Sequence, residues 1–125
     1  MHKILARLFA LTVVIPALAA ALATFPARPL RLVITYAAGG TTDIMARALQ
    51  DPIQKILGQS LIVDNRPGAS GLLAAREVIR SKADGYTLFF VNNGNLAVTP
   101  NVVKDANYDG IRDFTPIALV ARLRH

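Results

Sequence analysis

Between Pro29 and Val91 the chain alternates two apolar periods with little spacer between them, and this alternation restricts the fold more than any other feature. Leu30-Arg31-Leu32-Val33-Ile34-Thr35-Tyr36 is a nearly continuous apolar run, as a strand covered on both faces requires. Thr41 or Thr42 then offers a capping hydroxyl, and Asp43 falls in a first turn, where a negative charge suits the helix dipole. Ile44, Ala48, Leu49, Ile53, Ile56 and Leu57 recur at helical spacing, and Gly58 is placed to end the helix. Pro52 denies the Ala48 carbonyl its partner, at a cost of about 3 kcal/mol inside a helix, so a kink or a helix in two pieces is expected there. Ser60 to Asn65 reads as a second strand, Leu72 to Ser81 as a second helix and Tyr86 to Val91 as a third strand. Asn95 to Val98 reads as a short helix stopped by Pro100, and Thr115 to Ala121 as a fourth strand.

Strand, helix, strand, helix, strand with short connections predicts an α/β fold, a parallel sheet with flanking helices. In such a sheet every strand-to-helix loop leaves at the carboxyl edge of the strands, where ligands bind. Three loops then share one mouth: Tyr36 to Thr42, Asn65 to Gly71 and Asn92 to Asn95. The first of them, Tyr36-Ala37-Ala38-Gly39-Gly40-Thr41-Thr42, carries no Lys, Arg, His or Cys. A helix start presents unpaired N–H groups and a partial positive charge, so a turn this bare can hold an anion with its backbone. Gly39, Gly40, Gly68 and Gly71 permit close approach and positive φ. The plain alternative is a glycine turn that only caps a helix. Neither the G-x-x-x-x-G-K phosphate loop nor the G-x-G-x-x-G dinucleotide pattern is present, and a small carboxylate suits the loop better than a phosphate.

Composition narrows the function classes. The chain has 125 residues, is 53% hydrophobic and has a mean hydropathy of +0.39. Part of that excess lies in a leader: a basic head with Lys3 and Arg7, the uncharged run Leu8 to Leu22, and the A-x-A patterns Ala19-Ala20-Ala21 and Ala21-Leu22-Ala23. This reads as a secretory signal peptide, residues 1–23, cut after Ala23 or else after Ala21, with a membrane anchor as the competing reading. Removing Lys3 and Arg7 takes the formal charge from +6 to about +4, with the basic residues scattered rather than gathered as nucleic acid requires. No cysteine is present, so disulfides and thiol chemistry are excluded, in keeping with a bacterial periplasm. His2 falls in the leader and His125 ends the chain, leaving no histidine for acid–base work. Asp43 at a helix start is a capping residue before it is a base. Asp64, Asp84, Asp105, Asp109 and Asp113 read as turn and solvent residues, and no cluster has metal-ligand spacing, so no cofactor is expected and no enzyme is indicated.

"PARPLRLVITYAAGGTTDIMARAL" resembles the start of the mature Bug proteins, the periplasmic solute receptors of tripartite tricarboxylate transporters, through Pro26, Pro29, Leu30, Arg31, Tyr36, Gly39, Gly40 and Asp43. "VDNRPGASG" from Val63, "ADGYTLFF" from Ala83, "LAVTPNVV" from Leu96 and "YDGIRDFTPIALVAR" from Tyr108 resemble the family's following blocks in order. The resemblance implies a receptor of two hinged α/β domains that closes on a small carboxylate and delivers it to a membrane permease. It also implies that ligand binding falls on Ala38, Gly39, Gly40, Thr42 and Asp43, on Gly68, Ala69 and Gly71, and on Asn93, Gly94 and Asn95.

Thr35 stands where the family usually has proline, Pro52 replaces a helix-compatible residue, and Gly110 replaces a frequent proline. Family members are also much longer. Residues 24–125 are therefore expected to be the incomplete first part of a type II periplasmic-binding-protein-like domain, from a truncated receptor without its second domain. Such a half-site is expected to be monomeric if folded and to bind weakly. The alternative expectation is a small exported α/β interaction or regulatory module.

Overall fold

A computed structural model describes residues 24–122. The signal peptide assigned to residues 1–23, with its cleavage points, lies outside the described residues, as do residues 123–125. Strands β1 (Leu30–Ile34), β2 (Leu61–Asn65) and β3 (Thr87–Phe90) form a parallel sheet in the order β2-β1-β3. Leu30 pairs with Leu61 and Ile34 with Asn65 on one side of β1, and Arg31 pairs with Thr87 and Ile34 with Phe90 on the other. The central strand is the apolar one because it alone has neighbours on both sides and helices on both faces.

Alternation along β1 divides the core. Leu30, Leu32 and Ile34 face α1 (Thr41–Ala48) and α2 (Gln50–Leu57), packing with Ala46, Leu61 and the partly buried Leu49, Ile53 and Leu57. On the opposite face α3 (Leu72–Arg80) lays Leu72 and Ala75 against Phe89, Ala106 and Tyr108. The crossover from β1 to β2 and that from β2 to β3 run in opposite directions across the sheet. Crossovers of one hand then place their helices on opposite faces. The strand order reverses between β1 and β3, and the carboxyl edge at such a reversal is where open α/β sheets hold ligands.

The expected break near Pro52 is present. α1 ends at Ala48, Leu49 is the junction, and α2 begins at Gln50 with Pro52 in its first turn. Gly58 closes α2 in the left-handed conformation with φ 68°. Three expectations require correction. Gly40 is the N-cap of α1, with no side-chain cap, so neither Thr41 nor Thr42 has that role. Pro100 does not stop the third helical segment: a π-helical turn over Gly94–Val98 leads into α4 (Thr99–Val102), whose first turn accommodates the proline's missing N–H. Thr115 to Ala121 is not a strand; it pairs with no described residue and leaves Ile117 80% and Leu119 73% exposed. Its pattern is that of a strand, but a strand exists only by pairing.

Candidate functional site

The three strand-to-helix loops meet on one rim. Asn65, at the end of β2, donates through Nδ2 to the Tyr36 carbonyl and to Asp43 Oδ1, each at 3.0 Å. Asn92, just beyond β3, donates through Nδ2 to the Tyr36 hydroxyl at 2.6 Å. Thr35 donates its hydroxyl to Asn95 Oδ1 at 3.0 Å, and Asn95 Nδ2 donates to the Ser70 carbonyl at 2.9 Å. Segments distant in the chain are thus tied into one surface.

The first loop turns through Gly39, with φ 85°, and enters α1 from the extended Gly40. The Ile44 amide donates to the Gly40 carbonyl, closing the first helical turn. The amides of Thr41 and Thr42 precede that bond and have no partner among the described residues. The second loop is a left-handed run: Gly68, Ala69, Ser70 and Gly71 have φ of 122°, 48°, 53° and 85°. Ala69 and Ser70 occupy a region that disfavours a Cβ, and such strain persists only where surroundings hold it.

The expected site residues sort into two layers. Ala38, Gly39, Gly40, Gly68, Ala69, Asn93 and Gly94 are exposed at the mouth, with Thr42 half-buried beside them. Asp43, Gly71 and Asn95 are buried beneath. Asp43 is 2% exposed, and its carboxylate is occupied internally. It accepts from Arg47 Nε and the Gly39 amide at 2.9 Å each, besides Asn65. The Arg47 guanidinium, the Gly39 amide and the Asn65 carboxamide together hold its pKa down to about 2. It braces the turn from below.

Sequence reasoning missed Thr35 and Arg47 as parts of this rim, and placed Asn65 and Asn92 in its loops without making them site residues. Arg47 carried a usable signal, four residues after Asp43 on one helix. The asparagines carried only their position at strand ends. Asp64 also departs from expectation: it lies within β2, half-buried, and receives Arg31 and Arg66 at 2.6 and 3.0 Å. An open groove of about 660 Å³ runs along β1 and β2 past Arg28, Arg31, Ile62 and Asp64, and of the loop residues only Asn65 lines it. Among the described residues no group of His, Cys, Asp and Glu could hold a metal ion.

A family model described as "Tripartite tricarboxylate transporter family receptor" matches residues 45–124. A UPF0065 protein of Bordetella bronchiseptica is 44% identical over 119 residues, covering 93% of this chain and 36% of that protein. Protein BugT of Bordetella pertussis is 38% identical over 98 residues, covering 78% of this chain and 30% of that protein. Among solved structures, MatC from Rhodopseudomonas palustris with bound malate is similar with a TM-score of 0.73 and 36% identity, over 77% of this chain and 33% of that one. The chain spans about a third of the length of the curated relatives it matches.

Proposed function

We propose that this chain, which belongs to the tripartite tricarboxylate transporter receptor family, binds a small carboxylate on the backbone amides of its strand-to-helix loops and serves a membrane permease from the periplasm. The supporting observation is the convergence of three loops on one rim where backbone, small side chains, hydroxyls and carboxamides are exposed, with the exposed cations Arg47 and Arg66 paired to Asp43 and Asp64. A solute carboxylate accepts from the free amides of Thr41 and Thr42 at the start of α1, where the helix dipole adds attraction. Ala38, Gly39, Gly40, Gly68 and Ala69 let it approach the main chain, and Thr42, Asn93 and the Gly94 backbone border it. Asp43, Gly71 and Asn95 shape the rim from beneath.

In this reading residues 24–125 are the first part of a receptor domain exported by the leader at residues 1–23. The described loops supply one wall of the site. Hinge closure works with two, so one wall binds in the millimolar range or weaker.

The test is an amide NMR titration of the chain with malate, using the neutral diamide of malate as control. Shifts confined to Thr41, Thr42, Ala69 and Ser70 with malate alone are expected. Equal shifts with the diamide, or none at these amides at high millimolar malate, would overturn the carboxylate site.

A further inference from the structure

We propose that Asn95 is a positioning residue whose carboxamide sets the spacing between the loops after β1 and β2, and that it does not contact the solute. Its functional meaning rests on the carboxylate-site reading above. Asn95 is 8% exposed, and its side chain is occupied at both ends. Oδ1 accepts from the Thr35 hydroxyl at 3.0 Å and Nδ2 donates to the Ser70 carbonyl at 2.9 Å. The Ser70 carbonyl can only accept, which fixes the orientation of the amide. The main chain of Asn95 is held as well: its N–H donates to Asn92 Oδ1 at 3.1 Å, and its carbonyl accepts the Tyr108 hydroxyl. A residue tied this way is spent on the fold rather than on a ligand.

The fit leaves no slack. A Cβ on Gly71 would overlap the Asn95 amide and lie 3.2 Å from Thr35 Cγ2. The left-handed backbone of Ala69 and Ser70 needs an external hold. Asn95 supplies it through the Ser70 carbonyl, with the Thr99 hydroxyl adding a longer contact to the same oxygen at 3.3 Å. Asn65 ties the base of the second loop to the first, and the Asn95 carboxamide holds its left-handed turn at a fixed distance from the end of β1.

Asn95→Asp tests this by replacing the donor to Ser70 with a carboxylate oxygen, which repels the carbonyl while ionised and regains a donor on protonation. Amide hydrogen exchange is read on the full chain without ligand, at neutral pH and at about pH 4.5, where a carboxyl buried against a carbonyl binds a proton more readily than the usual pKa of about 3.9 implies. Asp43 stays ionised at both, since its pKa is about 2. At neutral pH the bonded amides of Gly71 and Leu72 in the second loop and of Gly39 in the first should exchange about tenfold faster than in the wild type, with Leu32 in the central strand β1 unchanged. The excess should shrink at about pH 4.5, whereas Asn95→Ala should stay loosened at both. Wild-type exchange in Asn95→Asp, equal acceleration at Leu32, or no recovery in acid would each overturn the proposal. Should Asn95→Asp not fold, Thr35→Val removes the other bond and should loosen the same two loops. Malate separates the two readings. Loosened loops in a chain whose wild type shows no malate response would refute the carboxylate site alone. A malate response in Asn95→Ala equal to that of wild type would refute the positioning role alone.

Discussion

The carboxylate of Asp43 accepts the amide of Gly39, four residues before it in the chain, at 2.9 Å. The turn before α1 is therefore fixed by an acid inside the helix rather than by a capping hydroxyl in front of it. The same oxygen takes Arg47 Nε, and the other oxygen takes Asn65, so one buried carboxylate joins the first loop, α1 and β2.

That arrangement makes stability depend on acid. The folded pKa of Asp43 lies at about 2, below the ordinary value of 3.8. The unfolded chain binds more protons between these values, so the contribution of Asp43 is complete above about pH 4 and lost as pH falls toward 2. Asp64, Glu77 and Asp109 are lowered too and add to the same slope. Asp43→Asn should lower the Tm at neutral pH and reduce, without abolishing, the fall in Tm across this window. A thermal melt series through the window checks it, and an unchanged slope would contradict it.

Two glycines with the same φ of 85° should respond differently to alanine. At Gly39 a Cβ meets nothing within 4 Å, so only the left-handed backbone is strained, at about 1 kcal/mol. At Gly71 the Cβ overlaps Asn95, which adds about 2 kcal/mol of overpacking. Urea denaturation should show Gly71→Ala to be the more damaging; equal losses would mean that the Asn95 contact gives way freely.

Pro52 lies in the first turn of α2 and leaves the Ala48 carbonyl without its helical donor. Pro52→Ala should stabilise the chain by about 1 kcal/mol, less than the full cost of an interior proline, because a first turn tolerates it. Circular dichroism should show slightly more helix. Destabilisation would mean that the break at Leu49 is needed for packing on the sheet.

Arg31 bridges β1 to Asp64 on β2 and to Glu77 on α3, at 2.6 and 2.8 Å. Replacing it with methionine keeps the stem and removes the pairings. A loss of about 1 kcal/mol is expected, larger at low salt than at high salt, because the pair is partly screened. Denaturation at two ionic strengths measures it.

The segment from Thr115 to Ala121 leaves Ile117, Leu119 and Val120 uncovered. Leu119→Lys should reduce self-association in light scattering while leaving the Tm unchanged, since an exposed apolar residue feeds association but holds no core. A drop in Tm would place Leu119 in the packing of the folded chain.

The parallel α/β frame was legible in the sequence because hydrophobic period is a local property. The apolar run of Leu30 to Ile34, the helical recurrence from Ile44 to Leu57 and the end at Gly58 follow from nearest-neighbour geometry and side-chain transfer. The bare loop announced free backbone for the same local reason. Tertiary structure alone decided what lies under that loop. Asp43 and Asn95 are polar residues in the first turns of helical segments, and nothing local distinguishes one that meets solvent from one spent on a partner far along the chain. Thr115 to Ala121 makes the same point in reverse: its composition is that of a strand, but a strand exists only in a backbone ladder, and this segment pairs with neither free edge of the sheet, on β2 or on β3.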